Sequence, residues 1–295
     1  MIFSTRMKKK TKKVVLLFLC LFTIFLTYCY FESRWLKTTN LIIESGDIPT
    51  SFDGKRIVFI SDVHHGRYFS RERVAQLVDT INNLKPDIII LGGDYVYMDP
   101  AYVYSFFDEV SKLESKYGIY GVMGNHDYWV GESQTRKMMQ QNKIKNCDNK
   151  SYWLKIGKDS IKIGGLDDIT QGVQIPDSTI YDVKKNDFCI LISHRPDNIP
   201  ILKTDRVDLT LSGHTHGGQI TLFGLWAPLL PEINNNNFKI FPVGIQQKYR
   251  YGLIKSNGIQ SYITSGVGTL TPLRFFCRPE IVVFKLKKIK SDKAL

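Results

Sequence analysis

Hydrophobic positions along the chain fall into two kinds of run. The first is a single block, Val14–Phe31, with no charged residue in it. As a helix rising about 1.5 Å per residue it is roughly 27 Å long, close to the hydrocarbon thickness of a bilayer. Tyr28, Tyr30 and Trp35 stand at its far end, where an interfacial aromatic belt belongs. The block is longer than a usual signal-peptide core and no small-x-small cleavage site follows it, so an uncleaved single-pass anchor is expected. Arg6, Lys8, Lys9, Lys10, Lys12 and Lys13 precede it, which favours a cytoplasmic N-terminus and an extracytoplasmic position for everything after Glu32.

The remaining runs are short. Arg56–Ser61, Asp87–Gly92 and Gly118–Met123 read as buried strands, bounded by turn residues and polar clusters. Between them, Ser70–Leu84 carries apolar residues at helical spacing (Val74, Leu77, Val78, Ile81, Leu84), and Tyr102–Leu113 reads as a second helix. This β-α-β-α-β order predicts a sheet that begins parallel. The second half is richer in strands: Tyr152–Ile156, Ser160–Gly165, Phe188–Ile192, Asp208–Leu211, Ser261–Thr264 and Ile281–Lys287. The expected fold is α/β, with two packed mixed sheets flanked by helices. Its divisions are a basic flank (1–13), the anchor (14–31), a linker with a lead strand at Leu41–Ser45 (32–51), one domain (52–288) and a basic tail (289–295). The stretch Leu222–Tyr251, broken by prolines and an Asn234–Asn237 run, reads as a long loop. Its apolar residues, Phe223, Leu225 and Trp226 among them, either cover a sheet edge or face lipid.

Composition changes this picture little. An apolar share of 43% and a charged share of 23% are those of a folded protein and exclude a disordered chain. The formal charge of +12 comes almost wholly from the basic flank and from Lys285, Lys287, Lys288, Lys290 and Lys293. The folded part is therefore near neutral and offers no basic stripe for nucleic acid. Cys147, Cys189 and Cys277, outside the apolar block, show no CxxC spacing, so neither a thiolate zinc site nor a disulfide framework is expected.

The chemistry lies in the histidines. All six (His64, His65, His126, His194, His214, His216) follow the end of a predicted strand, in loops that also carry Asp, Asn or Gly. Strand ends along one edge of an α/β sheet are where such folds build sites. Carboxylate, imidazole and amide ligands without thiolate suit two borderline-hard divalent ions such as manganese, iron or zinc. Such a pair generates a hydroxide nucleophile at neutral pH.

The blocks SDVHHG, GGDY, GNHDYW, SHRP and SGHTHGGQ resemble, in content, order and spacing, those of the calcineurin-like metallophosphoesterases. The resemblance runs from about Phe52 to Glu280. It is closest to the small bacterial phosphohydrolases that are membrane-anchored or exported, whose late segment is similar to TSGVGTLTPLRFFCRPEI. It implies a double β-sheet core, with Asp62, His64 and His216 on one ion, Asn125, His194 and His214 on the other, and Asp94 bridging them. It implies that His126 faces the leaving-group oxygen, steered by Asp127. His65 is an equal candidate for substrate contact or loop packing. Arg67, Arg195, Arg274 and Arg278 are candidates for holding an anionic group, Arg195 foremost because it follows a ligand.

Departures from the family pattern narrow the substrate. Asp94 is followed by Tyr-Val-Tyr-Met, not the Arg-Gly of the protein serine/threonine phosphatases or the Leu-Phe-Asp of the recombination nucleases. A phosphomonoester, phosphodiester or pyrophosphate, small or lipid-linked and at the membrane or envelope, fits better than phosphoprotein or DNA. A membrane-associated relative that splits the pyrophosphate of UDP-diacylglucosamine makes a lipid-linked nucleotide sugar one alternative. An envelope nuclease and a non-catalytic scaffold are the others; the near-neutral charge disfavours the first and the complete motif set the second.

Overall fold

A computed structural model describes residues 2–232 and 237–289; Asn234–Asn236 and the tail beyond Ile289 lie outside them. The apolar block is part of one helix, α1 (Ile2–Glu32), whose stretch Lys9–Glu32 is long and apolar enough to cross a membrane. The chain then runs through β1 (Lys37–Ser45), β2 (Arg56–Ile60), α2 (Arg71–Asn83), β3 (Ile88–Leu91), α3 (Ala101–Val110), β4 (Ile119–Gly121), α4 (Asn125–Gln141) and β5 (Ile144–Asn146). The second half contributes β6 (Lys150–Ile156), β7 (Asp159–Leu166), β8 (Cys189–Ser193), β9 (Leu209–Ser212), β10 (Leu229–Pro231), β11 (Phe238–Ile240), β12 (Gly252–Ser256), β13 (Ile259–Ile263) and β14 (Glu280–Lys288).

These strands form two six-stranded sheets, ordered β1-β14-β2-β3-β4-β5 and β12-β13-β9-β8-β7-β6. Strands β2 to β5 are mutually parallel, as are β7, β8, β9 and β13, while β14 meets β2 antiparallel. The central strands read as unbroken apolar runs because both of their faces are covered. On β2, Ile57 and Phe59 join the layer between the sheets with Ile88, Ile163, Ile190 and Leu211. Val58 and Ile60, pointing the other way, pack with Val74, Val78, Phe106 and Phe107 of α2 and α3.

Three details differ from the sequence reading. The lead strand is longer, pairing with β14 in parallel from Lys37 onward as an edge of the first sheet. Helix α4, directly behind the Asn125 motif, was not anticipated; its apolar spacing is weak and it kinks at Gly131, where φ is 137°. The Leu222–Tyr251 stretch is not wholly loop, since β10 and β11 pair in an antiparallel hairpin.

The sheets are bolted together by one carboxylate. Glu280 opens β14 and is fully buried. Its Oε1 accepts bonds from Tyr262 Oη, Thr264 Oγ1 and Ser265 N beside the second sheet. Its Oε2 accepts from Thr39 Oγ1 and Tyr251 Oη, with Lys37 Nζ at 3.4 Å. Burial opposes charge on Lys37, but Glu280 outweighs it and raises the ammonium above its usual range. Glu280→Ala strands these donors and should cost about 3–5 kcal/mol. A fall of roughly 10 °C in the thermal unfolding midpoint is the expected reading.

Candidate metal centre

The C-terminal ends of five parallel strands converge on one point. Asp62 and His64 follow β2, Asp94 follows β3, Asn125 and His126 follow β4, His194 follows β8, and His214 and His216 follow β9. To turn their side chains inward, Asp62, His64, Asp94, His214 and His216 adopt left-handed backbone conformations, with φ between 48° and 65°. Asp and His tolerate that region better than most residues, and such strain gathers at functional sites. Glycines make the crowding feasible. A Cβ on Gly124 would lie 2.2 Å from Asp94 Oδ1, and one on Gly213 would lie 2.2 Å from Asp62 Oδ2.

The side chains form overlapping groups. Asp62, His64 and His216 can hold one cation, and Asp94, His194 and His214 another. His64 Nε2 and His216 Nε2 face each other at 3.1 Å, with His216 Nε2 3.5 Å from Asp62 Oδ1. Asp94 Oδ2 lies between the groups, 3.5 Å from His64 Nε2 and 3.2 Å from His194 Nε2. The Nδ1 of His194 is oriented by the Gly92 carbonyl at 2.8 Å, which leaves Nε2 as the lone-pair nitrogen aimed at the centre. Asn125 Oδ1, His194 Nε2 and His214 Nε2 are buried without a hydrogen-bond partner. Orphaned acceptors converging beside two carboxylates fit a pair of divalent ions.

Electrostatics agree for His64, His214 and His216 and run the other way for His194. Burial pushes the His64 and His214 imidazoles well below their usual range, and burial, then Arg274, takes His216 to about 3. These rings are neutral, as ligands must be. Burial lifts Asp62 to about 6, whereas Asp94 stays well below the carboxylate range because His194, His126 and His64 outweigh its burial. Burial also opposes charge on His194, but Asp94 raises that ring to about 10.

The remaining sequence candidates are arranged differently. His126 shares a third group with His64 and Asp94, so distance alone admits it as a ligand. Its ring lies against Tyr97, centroids 5.5 Å apart, and Trp129, at 4.6 Å. Neither aromatic figured among the sequence candidates, although Trp129 closes the block that contains His126.

Asp127 does not steer His126. Its Oδ2 accepts from Asp94 N and Gly124 N and its Oδ1 from Tyr95 N, so it clamps the β3 and β4 loops together. His65 is turned away from the centre and packs in its loop, its nitrogens held by the Phe69 carbonyl at 2.7 Å and Ser105 Oγ at 2.8 Å. Arg195 is buried, with Nε 3.4 Å from Asp197 Oδ2 and Nη2 donating to the Glu232 carbonyl. These bonds brace a loop. Arg274 is likewise a buried strut, donating to the carbonyls of Ser265, Gly268 and Cys277. Arg278 lies over Trp35, and Arg67 is exposed beside Tyr68.

An α/β double sheet with a histidine–aspartate cluster at its strand ends fits a metal-dependent hydrolase. The family model for calcineurin-like phosphoesterases matches residues 55–218, and the chain belongs to that family. It is 34% identical over 265 residues to the uncharacterized metallophosphoesterase YkuE of Bacillus subtilis, covering 88% of each chain. It is 28% identical over 236 residues to the phosphodiesterase YaeI of Escherichia coli, covering 78% of this chain and 82% of that one. Among solved structures, the 5'-nucleotidase precursor of Thermus thermophilus superposes with a TM-score of 0.47 at 12% identity, covering 78% of this chain and 54% of that one. The protein is thus a metallophosphoesterase, an enzyme of phosphoester hydrolysis.

Gly124→Ala should force Asp94 and His194 apart. The metal content of the purified variant, read by elemental analysis, should fall well below that of wild type.

Proposed function

We propose that this chain is a dinuclear metallophosphoesterase held at a membrane by α1, acting on phosphodiesters or phosphomonoesters that reach the membrane surface. Asp62, His64 and His216 would hold one ion, Asn125, His194 and His214 the other, and Asp94 would serve both. The observation that carries this reading is the position of Asp94 Oδ2 between His64 Nε2 and His194 Nε2. The name of the Escherichia coli relative supports a diester, and the length and hydropathy of Lys9–Glu32 support the anchor.

When bound, such ions screen the charge of a phosphoryl group and bring the pKa of a coordinated water near neutrality. The chain's own residues supply the rest. Asp94 accepts the His126 backbone N–H through Oδ1, which fixes the start of α4 against the centre. The Asp127 clamp holds the same loops, so both halves of the first sheet's contribution keep one geometry. His126 lies at the edge of the cluster, with Tyr97 and Trp129 against its ring. A ring so confined beside the ligands, and not needed to complete either ligand set, serves to protonate the departing alkoxide.

Two substitutions separate holding from proton transfer. Asp94→Ala should remove both ions, since the shared carboxylate offsets their mutual repulsion. Elemental analysis that still finds two ions would sink the bridging role. His126→Asn should keep the metal content while lowering kcat about 10²–10⁴-fold, with a smaller loss for esters of acidic leaving groups. Loss of metal from that variant would make His126 a ligand instead.

A further inference from the structure

Helix α1 does not dangle from the domain. Glu32, at its last position, is buried, and its carboxylate accepts the backbone N–H groups of Phe276 and Cys277 at 2.8 and 2.9 Å. The Cys29 carbonyl accepts Arg274 N. Higher on the helix, Phe25 packs on Phe275 at 4.9 Å and Tyr28 on both Phe275 and Phe276. Phe25 lies two turns before the helix end, so roughly 10 Å inside it at 1.5 Å per residue. A domain that touches a spanning helix at that level is itself seated in the membrane interface.

The surface next to this contact is apolar. Phe276 meets Phe223 at 5.3 Å, and Leu222, Phe223 and Leu225 are 56–83% exposed. Trp226, in contrast, is half-buried, stacked on Phe241 with its Nε1 donating to the Pro242 carbonyl, and belongs to the loop's own packing. At and just beyond the same end of helix α1, Arg34 lies over Tyr30 and Arg278 over Trp35, the aromatic and basic pairing of a headgroup layer. Next to this surface, where Ile220 pairs with Phe275, a groove of about 420 Å³ is lined by Ile220, Leu270, Leu229 and Phe238 and by His214 and His216. Cys277 Sγ, one residue from Phe276, is 3.3 Å from the His216 carbonyl, so membrane contact and metal centre share one segment.

We propose that the substrate is a membrane amphiphile: a phosphoester whose alkyl chain lies in this groove while its headgroup reaches the metals from the bilayer plane. The inference rests on the phosphoesterase reading and on α1 spanning the bilayer. An apolar chain in the groove gains by leaving water, and the anchored domain keeps the groove mouth at the level where such chains surface. A small water-soluble ester uses the same metals but leaves the groove unfilled.

The test uses the full chain, loaded with manganese or zinc and reconstituted in phosphatidylcholine vesicles. Its probes are two nitrophenyl phosphodiesters that differ only in carrying a hexadecyl or a methyl group. The hexadecyl ester should be favoured in kcat/KM by at least about tenfold, roughly what burying a few methylenes supplies. Part of that preference comes from enrichment in the bilayer, so the variants decide. Leu270→Trp, which narrows the groove, and the exposed pair Phe223→Ser with Leu225→Ser should each lower the hexadecyl-to-methyl ratio by about tenfold. Thermal melts of the same samples verify their fold. A ratio unmoved in both variants, or close to one in wild type, overturns the groove assignment while the methyl ester still reports an active phosphoesterase. No turnover of either ester by the metal-loaded wild type overturns the phosphoesterase reading, and the inference with it. Failure of the full chain to float with vesicles removes the anchor.

Discussion

One carboxylate, shared by two groups of histidines, sets the terms for everything around it. Asp94 must put Oδ2 between His64 and His194 while Oδ1 holds the backbone of His126. To do so it sits at φ 55°, after a glycine at φ 91° whose Cβ would strike Gly124. The two loops that carry Asp94 and Asn125 can approach this closely only because each gives up a side chain at the point of contact. Asp127 then satisfies the backbone N–H groups that the tight turns leave without partners. Strain, glycine placement and the clamp are thus parts of one arrangement around a single anion.

Much of this was legible in the sequence. The strand-end motifs, the helical spacing in Val74–Leu84 and the apolar block before Glu32 all rest on patterns fixed by local periodicity. What escaped depends on which way a side chain points after a strand ends. His65 and Arg195 each follow a cluster residue, and adjacency made them candidates. His65 is held instead by the Phe69 carbonyl and Ser105, and Arg195 by Asp197 and the Glu232 carbonyl, contacts that adjacency in sequence does not show. Asp127 is a similar case, adjacent to His126 in sequence but occupied entirely with backbone donors. Helix α4 and the short strands β5, β10, β11 and β12 were missed because their apolar residues are few or exposed, and tertiary pairing decides their conformation.

Attachment of α1 follows a related logic. The Glu32 carboxylate could have capped nothing and left a hinge between helix and domain. It is instead buried against Phe276 and Cys277, in the segment that reaches His216. Orientation of the catalytic centre relative to the helix axis is therefore built into the core packing, and does not depend on a linker's stiffness.

The centre also draws its residues from both sheets. Asp62, His64, Asp94 and Asn125 come from the first, and His194, His214 and His216 from the second, so the groups Asp62–His64–His216 and Asp94–His194–His214 each span the seam between them. An ion held there recognises the docked pair of sheets and not the separated ones. Occupancy and folding are then a single linked equilibrium, in which every tenfold excess of free ion over its dissociation constant adds about 1.4 kcal/mol to the folded state. A cell's supply of the ion would set how long the protein lasts as well as how fast it works.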